Sequence, residues 1–591
     1  MKVRFLFCEK KGERFMKKKI LSMLITILAL CTCTFTLTAC GENEPPHTHN
    51  YVALKHDTTN HWYECSCGDK INIENHKDGT ATCKDKANCL VCEEEYGEIG
   101  YCYYTNGTCI WCGTTVSEGL EYKLVNNDAE YEVSSKGTCY DKNIVIPATY
   151  QGLPVTSIGE GAFAYNKFVT EIKVPNSVKS IGMAAFGECT ALESVILPSS
   201  VASIGELTFY GCLSLSSIVI PNGIESIGRQ MFYNCVSLKT AEIPTSVTEI
   251  GYSAFENCGN LENIVIPDSV ISIGKNVFYR CSGLTKITLP FVGARLNGTT
   301  EKHFGYLFGA DSYYTHESLV PNALKTVLIT KEKSIKENAF SDCVSISSIE
   351  ILSEATDIGD SAFFNCWSLE SVKIPNSVKK IGDNSFAECT SLKNINIPSS
   401  VTNIGAAAFS GCSSLTAIEI PSGITTINHS MFEECRSLAS VVIPNSVMSI
   451  GGNAFLGCWA LTKINIPNSV TRIDSSAFSG CGLTSIIIPN SVTWIDSFVF
   501  KDCDKLTSIV IPDSITDIYG MAFYGCSALR SVYYCGTDDK WNEIIIADGN
   551  TELISIRVTN YYYIENGNDV PNDYGDYWHY VDGVPTIWEK D

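Results

Sequence analysis

Residues 397–419 read IPSSVTNIGAAAFSGCSSLTAIE, and units of this kind recur along most of the chain. One cysteine marks each unit, and within a run successive cysteines lie 23 residues apart, except for a step of 22 between Cys481 and Cys503. A fixed period of this length is typical of a solenoid, in which each repeat buries its apolar face against its neighbours. The cysteines form two runs, at Cys189, Cys212, Cys235, Cys258 and Cys281, and at Cys343, Cys366, Cys389, Cys412, Cys435, Cys458, Cys481, Cys503 and Cys526.

The unit also predicts its local structure. Ile418 and Ile420 alternate with polar residues, which indicates a short strand with one buried face, and Pro421 ends that strand. Gly405 suits a turn, and Phe409 fits a helical half-turn that places an aromatic ring in the core. Stacked in register, such units predict a β-rich solenoid with short helical turns and about 17 coils of 23 residues, with a cap at each end.

The repeated cysteines allow two interpretations. Stacked thiols could form disulfides or hold a metal ion. However, disulfides need Cβ atoms near 3.8 Å apart, which is closer than stacked parallel strands usually bring them. A cysteine that recurs once per coil beside phenylalanine and leucine behaves as a small buried apolar residue. We therefore predict free thiols packed in the core with a structural role.

Several motifs carry a resemblance to a known family. IPNSVMSI at 443–450, IPNSVTRI at 466–473, AFLGC at 454–458 and NIVIPATYQGLPV at 143–155 resemble the BspA-type leucine-rich repeats of bacterial surface proteins. The resemblance covers roughly 120–591. It implies a right-handed leucine-rich-repeat-like solenoid, which we assign to 117–535, and more loosely it implies adhesion or surface binding.

Two regions depart from the repeat. Between Cys281 and Cys343 the step grows to 62 residues, and the excess forms an aromatic and glycine-rich insertion near 288–320. Such an insertion predicts either a contact site or a decorated coil whose aromatic residues repack into the core. The C-terminal segment 536–591 is also rich in aromatic residues, including Trp541 and the clusters at 561–563 and 577–580. It favours a cap over the open end of the core, although aromatic clusters also suit carbohydrate contacts.

A variable column marks the expected outer face of the strands. The position between the last two apolar residues of each strand changes from repeat to repeat, whereas its flanking positions stay aliphatic. Side chains that alternate out of a sheet in this way can contact a partner. The residues of this column that we predict to bind a partner are Glu242, Lys373, Asn396, Glu419, Asn465 and Tyr533.

The N-terminal 40 residues read as a targeting segment. Met16 is followed by three lysines and then by the apolar stretch 20–30, which is the pattern of a secretory signal peptide with Met16 as its true start. The sequence LTAC at 37–40 resembles a bacterial lipobox. That resemblance implies cleavage before Cys40, lipidation of its sulfur, and a lipoprotein anchored at the outer face of a bacterial membrane by its acyl chains alone.

Residues 41–116 form a small module rich in cysteine and histidine. Two Cys-x2-Cys pairs, interspersed histidines and further cysteines suit a tetrahedral Zn²⁺ site within 61–112. A disulfide framework is the alternative, because small secreted modules use an even set of cysteines as crosslinks. The candidate metal ligands are Cys65, Cys67, His76, Cys83, Cys89, Cys92, Cys102, Cys109 and Cys112.

Composition narrows the classes of function. A formal charge of −22 and a pI near 4.9 disfavour nucleic acid and polybasic docking to lipid. The sequence has no phosphate-binding loop, no His-Glu-x2-His motif and no Gly-x-Ser-x-Gly elbow, so we expect no enzyme. We predict an extracellular, membrane-anchored binding or adhesion scaffold that recognises a protein, with glycan or cell-wall polymer as the alternative ligand.

Overall fold

The computed structural model describes residues 115–555 without a break. The chain divides into two units, with the boundary between Gly113 and Thr114. Outside the continuous stretch, the structure describes 53–56, 60–64, 70–75, 87–88, 95–96, 104–105, 108–109, 561–563, 577–581 and 584–587.

The described part of the N-terminal unit consists of short antiparallel strands. Trp62 is buried there, and Lys70 Nζ lies 3.8 Å from the centre of its indole ring. Ala53–His56, Asn60–Glu64 and Lys70–Asn75 form one sheet, Ala87–Asn88 pairs with Glu95–Tyr96, and Tyr104–Thr105 pairs with Thr108–Cys109.

The second unit is a β-solenoid of about 18 turns with little helix, as the 23-residue period predicts. Its coils contribute to two rows of mainly parallel strands. The first row comprises Asn143–Val145, Glu171–Lys173, Ser194–Ile196, Ser217–Val219, Thr240–Glu242, Asn263–Val265, Lys286–Leu289, Thr326–Ile329, Ser348–Ile351, Ser371–Lys373, Ala417–Glu419, Ser440–Val442, Ser485–Ile487, Ser508–Ile511 and Ser531–Tyr534, continued by Tyr561–Tyr563, Tyr577–Val581 and Val584–Ile587.

The second row lies later in each coil and is shorter. It begins with an antiparallel hairpin, Glu121–Val125 and Glu130–Ser135, which covers the first coil, and Thr149–Tyr150 pairs at its side with Leu153–Ile158. After Leu153–Ile158 it comprises Ser180–Ile181, Ser203–Ile204, Ser226–Ile227, Glu249–Ile250, Ser272–Ile273, Ser334–Ile335, Asp357–Ile358, Lys380–Ile381, Asn403–Ile404, Thr426–Ile427, Ser449–Ile450, Arg472–Ile473, Trp494–Ile495, Asp517–Ile518 and Ile545–Ile546.

The segment that leads to each cysteine forms consecutive turns instead of the helical half-turn expected at Phe409. Ala407 adopts a left-handed backbone with φ 52°. Its N–H donates to the carbonyl of His429 in the next coil, and the N–H of Phe409 donates to that of Met431. The backbone therefore bonds to the neighbouring coil at every second residue, which a helix would not permit. In the described residues, helical segments are confined to Phe304–Phe308, Tyr313–Thr315, His316–Leu319, Asp538–Glu543 and Thr551–Ser555.

Gly405 is required for a different reason from the turn that we predicted. A Cβ at this position would clash with the backbone of Asp383 in the preceding coil. Glycine lets the two coils approach closely here, whereas the equivalent position of the next coil is Asn428, whose side chain donates to the carbonyl of Ile404.

One continuous core runs through the coils. The phenylalanine of each regular unit is fully buried and stacks on that of the next coil; the rings of Phe386 and Phe409, for example, have centroids 5.4 Å apart and lie 4° from parallel. Offset-stacked aromatic rings contribute beyond the area that they bury. The phenylalanine row therefore forms the spine of the solenoid.

The repeated cysteines lie beside this spine, and the prediction that they pack in the core is confirmed. All fourteen are free and buried. In thirteen of them Sγ donates to the carbonyl of the phenylalanine 25 or 26 residues earlier, as Cys412 does to Phe386 at 3.1 Å. Burial raises the pKa of the Cys235 and Cys281 thiols to about 12. Protonated, hydrogen-bonded thiols suit a structural role.

The insertion forms a single enlarged coil between Leu289 and Thr326. Lys286–Leu289 pairs directly with Thr326–Ile329 in parallel, so the extra residues bulge out without breaking the first row. Phe308 contacts Phe278 at a centroid distance of 6.2 Å, and Phe304 contacts Phe340 at 4.9 Å. Aromatic residues of the insertion therefore continue the spine across the enlarged coil.

Candidate partner-binding surface

The first strand row presents its flanking residues to solvent. Most of its strands show the burial order exposed, buried, exposed, as in Ser440-Val441-Val442. Parallel pairing keeps equivalent residues in line, so that Glu419 lies beside Val442 and Glu350 lies beside Lys373. We call the third positions of these strands, from Ile196 to Tyr533, the strand column, and we include Asn396 and Asn465, the equivalent residues of two coils that lack a first-row strand.

Five of the six residues predicted to bind a partner are exposed on the strand column. They are Glu242, Lys373, Asn396, Glu419 and Asn465. Lys373 Nζ lies 3.9 Å from a carboxylate oxygen of Glu350 in the preceding strand. An exposed pair of this kind contributes little to stability, so these charges remain available for a partner.

Tyr533 differs from the other five because the structure buries it. Its ring lies 5.3 Å from that of Trp578, which is fully buried and whose Nε1 donates to the carbonyl of Tyr534. Trp578 also packs on Val510, the preceding member of the column. The C-terminal strands thus cover this end of the strand column, and the expectation that Tyr533 faces a partner is wrong.

Aliphatic side chains are exposed along the same column. Val219 is 63% exposed, Val265 61%, Val442 54% and Ile487 44%. Ile196, which the sequence analysis did not include, is 56% exposed. Single exposed apolar residues are ordinary, but a register of them between charged residues has the mixed composition of a protein interface.

A groove opens in this face around Asn465. The ladder of the first row is interrupted at 461–467, between Ser440–Val442 and Ser485–Ile487. The cavity there has a volume of about 750 Å³ and is lined by Lys463, Asn465 and Ile487 among others. The groove joins the exposed apolar residues to polar groups that can fix the orientation of a ligand.

The aromatic residues of the enlarged coil mostly repack. Phe291, Phe304 and Phe308 are fully buried, whereas Tyr314 is 74% exposed and lies against Tyr313. Of the two interpretations, the structure favours the decorated coil, because the aromatic contact site would need these rings at the surface.

Two buried histidines organise the enlarged coil. His316 Nδ1 donates to the carbonyl of Ser341 at 2.6 Å, and its Nε2 lies 2.9 Å from His303 Nδ1. Burial, and then repulsion by His303, lower the pKa of His316 to about 3. Cys343 Sγ lies 3.5 Å from His316 Nδ1, in place of the phenylalanine carbonyl that the other repeated cysteines contact.

The remaining predicted site residues lie outside the described residues. This applies to the lipidation site Cys40 and to the candidate zinc ligands, except that Cys109 is described as the end of the strand Thr108–Cys109. Among the residues that the structure describes, no three His, Cys, Asp or Glu side chains form a group suited to a metal ion. The zinc and lipid predictions stay predictions.

One surface feature, a cavity beside the exposed Trp459, was not predicted from the sequence. Its signal was present in the step of 22 residues between Cys481 and Cys503 and in the glycines at 457, 480 and 482. A one-residue deletion in a repeat predicts a local gap, but the depth of that gap can be determined only from the structure.

Solenoid, strand column and buried spine together define a repeat scaffold of the leucine-rich type. Residues 156–291, 333–460 and 449–564 match the family described as BspA type leucine rich repeat region, and these matches span more than half of the chain. The chain therefore belongs to the BspA-type leucine-rich repeat family. Proteins of this family are typically bacterial surface proteins, and the fold is a scaffold used in protein interaction and is generally non-enzymatic.

Several solved structures are similar to the chain. A leucine-rich repeat protein from Bacteroides ovatus ATCC 8483 is 25% identical, with a TM-score of 0.35, over 73% of this chain and 97% of that one. A leucine rich cell surface protein from Faecalibacterium prausnitzii A2-165 is 25% identical, with a TM-score of 0.24, over 76% and 98%. The pneumococcal vaccine antigen PcpA is 20% identical, with a TM-score of 0.29, over 61% and 93%.

A search among curated proteins found no match. In the part of the chain that the structure describes, no helix has the length and apolar character needed to cross a membrane.

Proposed function

We propose that the protein is an extracellular binding scaffold that recognises a protein on a host or neighbouring cell through the strand column. The observation that carries this proposal is the register of exposed aliphatic residues, Val219, Val265, Val442 and Ile487, among charged and amide side chains. Burying these residues against a partner would add apolar contact, and the charges between them would set specificity.

The sequence features of the N-terminus complete the proposal. A lipidated Cys40 would anchor the scaffold at the outer face of the membrane, with the solenoid held outside the cell. The zinc or disulfide module at 41–116 would then lie between the anchor and the solenoid in the chain. The wild type grown with radiolabelled palmitate should incorporate the label and Cys40→Ala should not, which tests the anchor. Metal analysis with thiol counting tests the module.

A paired substitution tests the strand column. Val442 on the first row and Met448 beside the second row belong to the same coil and are both 54% exposed. Val442→Ser combined with Ile487→Ser removes apolar surface from the column, whereas Met448→Ser combined with Ile271→Ser removes it elsewhere. The immobilised full chain and both double variants are compared for capture of surface-labelled proteins from host and bacterial cells.

We expect the column variant to lose a captured protein that the wild type and the control variant retain. Capture that both double variants retain, or that both lose equally, would contradict a role for the column. A glycan array run with the same three proteins tests the alternative ligand class. Glycan binding without protein capture would replace the proposal by the glycan alternative.

A further inference from the structure

One coil of the solenoid is a residue short, and a cavity lies there. In the preceding coil Trp459 and Ala460 separate the cysteine from the following leucine, whereas only Gly482 separates Cys481 from Leu483. A Cβ on Gly482 would clash with the carbonyl oxygen of Trp459, so the short coil is drawn tightly against its neighbour. The surface cavity at this point has a volume of about 540 Å³.

The floor of the cavity lacks side chains over two successive coils. In four successive coils, the residue before the repeated cysteine is Glu434, Gly457, Gly480 and Asp502. Both glycines line the cavity and have a left-handed backbone, with φ 71° and 67°. The Glu434 carboxylate lies over Gly457, 2.7 Å from where a Cβ would be, so the gap is above Gly480, between Glu434 and Asp502.

The wall of the cavity is aromatic. In the same four coils, the residue after the repeated cysteine is Arg436, Trp459, Gly482 and Asp504. The guanidinium of Arg436 lies 4.7 Å from the centre of the Trp459 ring, while Trp459 also lines the cavity formed with the following coils. The indole is 54% exposed, so it still offers ring surface to a ligand.

The charges around the cavity favour a cation. Glu434, Asp502 and Asp504 line it, and Lys505 is the one basic residue among its lining residues in the described chain. Arg436 Nε is 2.9 Å from Glu434 and Lys501 Nζ is 3.7 Å from Asp502, so both carboxylates already have a basic partner, in exposed pairs of the kind that contribute little to stability. The formal charge of −22 on the whole chain adds an attraction for basic partners.

We propose that this cavity binds a lysine or arginine side chain of the protein partner. The cation would lie against Trp459, which attracts it through the negative face of the indole ring. The carboxylates of Asp502 and Asp504 would accept its hydrogen bonds. This inference rests on the proposed protein-binding function and adds to it a contact on a different part of the coil from the strand column.

The chain offers a matched control for the tryptophan. Trp367 occupies the same position after Cys366 and is 46% exposed. The next coil has regular length there, with Thr390 in place of the glycine. The residues before Cys366 and Cys389 are Asn365 and Glu388, so side chains are present here where the coils beside Trp459 have glycines. Trp367 therefore has the aromatic ring without the cavity.

A second variant fills the cavity without removing the indole or a carboxylate. The atom nearest to a Cβ placed on Gly480 is Gly457 Cα, at 3.7 Å, so there is room for a side chain. Asn234, Asn257 and Asn365 occupy the equivalent position with φ 61°, 60° and 56°. Gly480→Asn is therefore expected to fold and to occupy the gap.

The test titrates the full chain with a fluorescent tetra-arginine peptide, a tetra-glutamate peptide and cellohexaose, and measures affinity by fluorescence anisotropy and calorimetry. We expect tetra-arginine to bind, and we expect Trp459→Ala and Gly480→Asn each to weaken its binding about fivefold, as the loss of an exposed cation–π contact implies. Trp367→Ala is expected to leave the affinity unchanged.

Equal tetra-arginine affinity in all four proteins would overturn the proposal, since general attraction to the acidic chain would then explain the binding. Binding of cellohexaose that Gly480→Asn abolishes, with no effect on the peptide, would also overturn it in favour of a glycan site. Either outcome leaves partner capture through Val442 and Ile487 as a separate result, so failure of the cavity and failure of the column are distinguishable.

Discussion

The regular coils and the enlarged coil solve the same packing problem in different ways. In the regular coils around Phe409 the rings stack 4° and 5° from parallel with both neighbours, and Cys412 Sγ bonds to the carbonyl of Phe386. In the enlarged coil Phe304 and Phe308 are tilted by 57° to each other, and Cys343 Sγ faces His316. A strict period allows one set of contacts to be reused, whereas an insertion requires a new polar arrangement to close the core.

The largest expected effect is a hole in the regular spine. Phe409→Ala removes a fully buried ring that two others contact, so we expect the free energy of unfolding to fall by about 3–5 kcal/mol. Urea unfolding followed by circular dichroism measures the change. Phe409→Leu is the control and should cost less because it leaves a smaller cavity; a loss below about 1 kcal/mol for the alanine variant would contradict a continuous spine.

The enlarged coil is expected to be sensitive to acid. Its folded state keeps His316 neutral, with a pKa of about 3 against 6.5 for the ordinary side chain. Between pH 6.5 and about pH 3, the histidine therefore takes up a proton when the protein unfolds. The stability that is present above pH 6.5 is lost as the pH falls towards 3. The slope is about 1.4 kcal/mol per pH unit for one histidine.

Urea unfolding across this pH range in wild type and His316→Gln measures that contribution. The variant should lose this part of the slope, whereas His429→Gln, which changes an exposed histidine, should keep it. An unchanged slope in His316→Gln would show that the buried pair does not couple folding to pH.

A smaller effect is expected at a repeated cysteine. Cys412→Ala removes the Sγ hydrogen bond to Phe386, but that carbonyl still accepts from the N–H of Cys389 at 3.2 Å. No acceptor is left without a partner, so we expect a loss of about 1 kcal/mol in the free energy of unfolding. A loss above about 3 kcal/mol would show that the thiol does more than fill space.

The smallest effect on stability is expected on the strand column. Val441 is 9% exposed and Val442 is 54% exposed, although they are neighbours in one strand. Val442→Ser should change the free energy of unfolding by less than about 0.5 kcal/mol, since it removes no core contact. Val441→Ser should destabilise clearly. Similar losses for both would contradict the assignment of Val442 to a face free for binding.

The period of the chain predicted most of the fold because each coil meets only its neighbours. Alternation around residues such as Ile418 was enough to assign the buried and exposed faces. The covering of Tyr533 by Trp578 was not predictable, because the segment that folds back lies outside the repeats. The role of Gly405 was not predictable either, because the backbone that it approaches belongs to the preceding coil.

The candidate surface was predictable only in part. The outward positions Glu242, Lys373, Asn396, Glu419 and Asn465 followed from strand alternation alone. The groove at Asn465 and the cavity beside Trp459 depend on interrupted pairing and on a missing residue, whose effects are three-dimensional. A repeat pattern predicts the regular surface well and its defects poorly, and ligand sites in proteins are usually concave.

Alkylation of native cysteines, mapped by mass spectrometry, tests the stacking of the coils most directly. We expect the repeated cysteines from Cys189 to Cys526 to stay unmodified in the folded full chain and to react together once denaturant is added, because all are buried beside the phenylalanine spine. Alkylation of several of them in the native protein at the rate of an exposed thiol would contradict it.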